Sequence, residues 1–371
     1  MSKENYSKRM GRASVLRVSV AYVGCCIGAG FLSGQELWQF FGFHGKWELA
    51  ALAVAVASMF VIGALILSLA QDTGETRMDR IIVWFDCKPL RGAVAVFEVV
   101  FLFMIYLMSA AAFGSLFAQM LGGSAIWGSI AFCAISTAIS LFGVRGLLRF
   151  FSMVVPVLIV ATIALSAMTV LTSAGLQFPT GAKEGLIIGI WPIDGVVYAI
   201  FNLFCALPVL APLGATLPSG KVARRGIFLG ALYLGVLAAM ILLSVATDPT
   251  SAKEPLPMLA LAFSKGALPG VIYAVLLGFG IFSAGLSSQA SMMHYFTERF
   301  PVLQKKRFLL PVAAGISIAA LLLGSFGFRD LVGILYPILG YVGTLPLLLL
   351  VVHAVLHFRA KHRNRISKAE K

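Results

Sequence analysis

The sequence predicts an all-α integral membrane protein of about ten transmembrane helices, and three observations carry that prediction. The 371 residues are 60% hydrophobic and only 12% charged, about half the charge of a soluble domain at roughly 25%. The apolar runs reach the ~20 residues that one helical crossing requires. The basic residues collect between alternate runs, as they do when successive loops lie on opposite sides of a bilayer.

The runs fall at roughly 14–41, 47–70, 93–121, 125–143, 150–172, 193–217, 226–247, 269–297, 308–324 and 331–357. The first run continues from Ser14 to Phe41, well beyond the 7–15 apolar residues of a signal peptide. It is therefore expected to be a retained span. Gly and Ser are interspersed among Leu, Ile, Val and Ala, as in helices packed in lipid. The short alternating segments of a β-barrel are missing. The loop 71–92 carries both charges around an apolar middle and suits a short interfacial helix. The segment 248–268 holds an apolar stretch, Met258 to Phe263, that suits either a lid helix or a plain connector.

The net charge of +14 raises the question of nucleic acid, but its distribution answers it. All of the 29 Lys and Arg residues except Lys46, Lys183, Lys253, Lys265 and Arg329 fall on the side that carries both termini. That excess makes this side cytoplasmic and predicts anionic lipid, with no nucleic acid, as its partner. The expected location is the bacterial inner (cytoplasmic) membrane, multi-pass. Of the five cysteines, all but Cys87 lie within apolar runs, and no C-x-x-C pair suggests a zinc or redox site.

Ten spans divide at the long segment 173–192 into two halves of five, about 14–172 and 193–357, followed by a basic tail at 358–371. An odd number of spans per half forces the halves into opposite orientations. That is the arrangement of inverted-repeat transporters, whose sites lie in broken helices near the midplane. Spans 1 and 6 then correspond. Span 1 carries Gly24, Gly28, Gly30 and Gly34, and glycine disfavours helix by about 1 kcal/mol relative to alanine. Span 6 carries Pro208 and Pro212, each of which removes a backbone donor. Both spans are expected to break. The broken ends would offer N–H groups to an anion and carbonyls to a cation, which suits a zwitterion. Gly24 and Gly28 also read as a small-residue packing motif, and the prolines also read as kinks.

Ser283, Ser287 and Ser288 share one face of span 8. Their hydroxyls suit a hard cation such as Na⁺ or bond back to their own helix. Glu98 in span 3 is an intramembrane acid and so a functional candidate, for gating, for a proton relay or as an interfacial residue. Tyr106 on the same span and Glu36 on span 1 are further gating or proton candidates. Glu36 on the outer part of span 1 is expected to face an outer vestibule. Tyr336-Pro337, Gly340, Tyr341 and Gly343 give span 10 a place to bend. No G-x-x-x-x-G-K-[ST], H-E-x-x-H or G-x-S-x-G pattern occurs, so nothing supports an enzyme, a metal centre or a resident cofactor.

The segment VGCCIGAGFLSGQELWQFF resembles the opening span of the YkvI-like bacterial membrane proteins. These belong to the amino acid–polyamine–cation (APC) superfamily with the LeuT-like fold. The similar core is Ile27-Gly28-Ala29-Gly30-Phe31, then Ser33 to Glu36, then Phe40-Phe41. The resemblance implies secondary active transport of an amino acid or related zwitterion or cation, by Na⁺ or H⁺ symport. It implies substrate contacts at Gly28, Ala29, Gly30, Tyr198, Phe201 and Asn202, and Na⁺ at Cys25, Gly28, Ser287 and Ser288. Some proton-coupled relatives carry a lysine in span 5, which is absent here. A non-transporting sensor of the same fold and a ten-span drug/metabolite-type transporter are the rival readings. They differ in flux and in the continuity of span 1.

Overall fold

The computed structural model describes residues 3–142, 145–178, 185–300, 303 and 306–369. Lys183 and Lys305, and the side chains of Arg145, Arg149 and the tail beyond residue 363, lie outside the described residues. Among the described residues six helices are long and apolar enough to cross a bilayer, and four shorter apolar helices accompany them. Ten spans result, with no strand among the described residues.

Span 1 is split into α1 (Lys3–Cys26), α2 (Ala29–Ser33) and α3 (Gln35–Phe41). Spans 2 to 5 are α4 (Glu48–Thr73), α6 (Lys88–Leu121), α7 (Ala125–Phe142) and α8 (Arg145–Leu171). Spans 6 and 7 are α9 (Trp191–Ala215) and α10 (Gly220–Thr247). Spans 8 to 10 are α12 (Ala267–Arg299), α13 (Lys306–Leu323) and α14 (Phe328–Ala369). Two short helices sit in loops. The segment 71–92 supplies α5 (Met78–Ile82), and 248–268 supplies α11 (Pro257–Ser264). Both turn apolar residues inward: Met78, Ile81 and Ile82 are buried, as are Met258, Leu259 and Leu261.

The helices pack as two groups. In one, α4 lies along α9, α10 packs on α1 and α4, and α1 also touches α9. In the other, α6 packs on α12 and α7, and α13 closes against α7 and α6. Each group thus takes two consecutive spans from each half of the chain. The α14 helix leans on α9 and α6, bridging the groups.

The structure differs from expectation at span 6. Span 1 breaks at Ile27 and Gly28, but α9 is continuous through Pro208 and Pro212. The two prolines are four residues apart on one face. Each deletes a single bond, leaving the carbonyls of Phe204 and Pro208 without their i+4 donors. The helix is loosened there but not opened.

Candidate functional site

The break in span 1 comes from a helix that runs out of donors. Ile27 N still bonds to Val23 O, and Leu32 N bonds to Gly28 O. Between them no backbone bond closes onto the carbonyls of Gly24, Cys25, Cys26 or Ile27. Gly28 itself is extended (φ −113°, ψ −174°), a conformation open to any residue. Its missing side chain matters for space, since a Cβ on Gly24 or Gly28 would meet nothing within 4 Å.

The chain then turns a second time. Gly34 adopts φ +82°, a left-handed conformation that strongly favours glycine. This turn ends α2 and aims the first residues of α3 back toward the break. Glu36 is thereby buried, at 2% exposure, and its Oε1 accepts a hydrogen bond of 2.8 Å from the Tyr198 hydroxyl. Its Oε2 lies against Gly30, with the Tyr336 hydroxyl beside them. The expected outer vestibule for Glu36 is therefore wrong. The sequence marks Gly34 as a weak point of the helix but not the direction of the turn that folds Glu36 inward.

A cavity of about 240 Å³ opens beneath this cluster. The wall at the break is Gly24 to Ala29, with Glu36 above. From α6 come Phe101, Ile105, Met108 and Ser109, with Glu98 further along, and from α9 come Phe201, Phe204, Cys205 and Pro208. The α12 helix adds Ser283, Ser287, Ser288 and Ser291, α14 adds Tyr336, and α5 adds Met78. The lining starts near the middle of each helix and runs toward Glu98 on α6, Pro208 on α9 and Ser291 on α12, and it includes Met78 of α5. The cavity thus extends from the break toward the face that carries both termini. On the opposite side Phe40 and Phe41 pack edge-on against Tyr198, with ring centroids 5.2 and 5.0 Å away. Further out, His44 Nε2 and Gly189 N each lie 3.0 Å from Asp194 Oδ2.

The predicted residues divide cleanly. Cys25, Gly28, Ala29, Phe201, Ser287 and Ser288 all face the one cavity, as do Glu36 and Glu98. Gly30 and Tyr198 stand just behind, holding Glu36. Asn202 is not part of the wall. It lies about 100° round α9 from Phe201, with Nδ2 donating to Tyr198 O at 3.1 Å. Tyr106 also turns away from the cavity, because Ile105 and Ser109 occupy that face of α6. Its hydroxyl instead meets Ser136 at 2.6 Å and Ser317 at 2.7 Å in a buried cluster with α7 and α13. Ser288 donates to Ala284 O at 3.0 Å, so its hydroxyl is engaged with its own helix, while Ser287 is exposed to the cavity. Sequence reasoning missed Phe101, Phe204, Cys205 and Met78. Their only signal was helical phase relative to residues already chosen.

Comparison with known proteins bears on this architecture. The uncharacterized membrane protein YkvI of Bacillus subtilis (strain 168) is 23% identical over 337 residues, covering 89% of this chain and 93% of its own length. The uncharacterized protein YyaD of the same organism is 22% identical over 359 residues, covering 90% and 95%. No family model matches the chain. The structure of MhsT in complex with L-phenylalanine superposes with a TM-score of 0.59 at 15% identity, covering 92% of this chain and 97% of MhsT. This chain has the LeuT fold. Mhp1 shares that fold: its inward-facing conformation gives a TM-score of 0.55 at 12% identity, covering 92% of this chain and 76% of Mhp1. The expected LeuT-like architecture and the resemblance to YkvI-like membrane proteins both stand. The LeuT fold also removes the drug/metabolite-type alternative, which has no interrupted first span.

Proposed function

We propose that this protein is a secondary active transporter of a small solute, an amino acid or a related zwitterion or cation, working by alternating access. The observation that carries the reading is the interrupted first span facing a cavity between two packed groups of helices. Irregular backbone at membrane depth is tolerated where it lines such a cavity, and broken helices near the midplane are where transporters of this kind hold their cargo. LeuT-fold neighbours bind small molecules, L-phenylalanine in MhsT and bromovinylhydantoin in Mhp1.

In this reading Gly28, Ala29 and Phe201 contact the solute. Coupling draws on a Na⁺ or H⁺ gradient. The carbonyls of Cys25 and Gly28 and the hydroxyl of Ser287 offer the oxygen donors a Na⁺ prefers, and the acids Glu36 and Glu98 offer proton-carrying groups. The basic excess on the terminal side supports placing both termini in the cytoplasm of a bacterial cell, against anionic lipid. The cavity, which opens toward that side, then corresponds to an inward-facing state.

The test is uptake into proteoliposomes with imposed Na⁺ or pH gradients, preceded by a thermal-stabilisation screen against amino acids with and without Na⁺. Gradient-driven accumulation supports the reading. Stabilisation by a ligand with no flux under any gradient favours a non-transporting sensor instead.

A further inference from the structure

We propose that Glu36 seats the positively charged group of the solute, so that the protein selects amines with an apolar body over carboxylates of the same shape. The proposal rests on the reading of the break as a solute site and specifies the recognition chemistry there.

The charged side chains of the cavity wall are Glu36 and Glu98, with no Lys, Arg or His among them. Among the described residues Glu36 has no basic partner. Its neighbours are the hydroxyls of Tyr198 on α9 and Tyr336 on α14, and Gly30 beneath. A buried carboxylate without a cation is costly, and intramembrane acids of this kind are kept for function. The fold makes room for it by having no side chain at residue 30. The end of α1 reinforces the sign, because the free carbonyls of Gly24 to Ile27 form the negative pole of that helix. Phe201 and Tyr336 stack face to face at 4.2 Å beside the carboxylate, and aromatic faces attract cations. Next to Glu36 the wall is apolar, with Ile27, Leu32, Phe101, Ile105 and Met108, while the serines of α12 line one side and Glu98 stands further toward the terminal face. Negative potential at one end and hydrocarbon beside it describe a receptor for an alkyl or aryl ammonium group. A carboxylate on the same body would face Glu36 and gain no cationic partner.

The experiment uses the purified full-length protein and three probes of matched shape: isoamylamine, L-leucine and 4-methylvalerate. Binding is read as a rise in Tm and as protection of Cys25 and Cys205, both in the wall, from maleimide alkylation. Isoamylamine and L-leucine are expected to bind, and 4-methylvalerate to bind at least tenfold more weakly than isoamylamine. Glu36→Gln should narrow the gap between amine and carboxylate by tenfold or more. Tyr198→Phe keeps the charge but frees the carboxylate, and should weaken the amine several-fold. Glu36→Asp should retain the preference, which guards against simple misfolding. The proposal is overturned if 4-methylvalerate binds the wild type as well as isoamylamine, or if Glu36→Gln leaves the gap unchanged. If L-leucine binds but the gap is unaffected by Glu36→Gln, the anchor fails and the transporter reading survives. If none of the three protects Cys25, both fail.

Discussion

Glu36 rests directly on Gly30: a methyl group built on Gly30 would stand 2.5 Å from Glu36 Oε2 and 3.0 Å from the Tyr336 hydroxyl. Neither contact is tolerable without movement. Gly30→Ala should displace the carboxylate and lower solute affinity at least tenfold, read by ligand-induced thermal stabilisation. Gly28→Leu acts differently: its side chain enters open space without touching Glu36, and it should fill the cavity and abolish binding.

Gly34 is needed for conformation and for space together. Its φ of +82° costs an L-residue about 1–2 kcal/mol. A Cβ there would also meet Met258 and Ile241 side-chain atoms at 3.1 and 3.2 Å. Gly34→Ala should lower Tm clearly and reduce binding through a misdirected Glu36. A variant with unchanged Tm and affinity would show that the second turn is not what aims α3.

The prolines of α9 take the i+4 donor from the Phe204 and Pro208 carbonyls close to the cavity. Pro208→Ala or Pro212→Ala restores one helical bond. These variants are expected to keep ligand binding while slowing turnover several-fold in proteoliposomes, since a continuous stiff helix resists bending. Equal turnover would mean that the bend at this point is not used.

The pair at the outer edge makes a prediction about pH. Burial pushes the His44 imidazole below its ordinary value of 6.5, with the Asp194 carboxylate pulling the other way. With the folded value lowered, the closed form holds fewer protons on His44 than an opened one, so this contribution is full above pH 6.5 and falls on acidification, until at lower pH Asp194, raised by its own burial, takes up a proton and opposes it. Acidification below that value should therefore raise alkylation of single cysteines placed near Phe41 from the outer face. His44→Gln should flatten the dependence. Accessibility that is unchanged with pH in the wild type would refute it.

Ser287 and Ser288 separate by their bonding. Ser288→Ala deletes a bond to its own helix and should leave ion dependence intact. Ser287→Ala removes a hydroxyl that faces the cavity and should weaken any Na⁺ dependence of uptake tenfold or more.

Much of this architecture was legible in the chain. Ten crossings follow from the cost of exposing backbone to hydrocarbon, and that cost writes itself into runs such as 93–121. The break in span 1 followed from Gly24, Gly28 and Gly30. The prolines of span 6 misled because proline and glycine act differently: a proline forfeits one bond, while a glycine cluster weakens a whole turn. Glu36 was misplaced because its position depends on a single dihedral at Gly34, which leaves no periodic trace. Tyr106 and Asn202 were mis-assigned by helical phase alone, which is fixed by packing partners far away in sequence.

The last helix has a consequence of its own. At its outer end Gly333 O accepts from Leu186 N, and Tyr341 donates to Leu186 O. Between those two residues Tyr336 stands beside Glu36. Toward the other end His353 Nδ1 lies 2.7 Å from Ile81 O of α5, whose Met78 forms part of the cavity wall. One helix, with Pro337 and Pro346 in its length, therefore touches the segment before α9, the Glu36 cluster and α5. If the protein transports as proposed, a tilt of this helix that loosens one end presses on the other, and a leak through both at once is opposed mechanically.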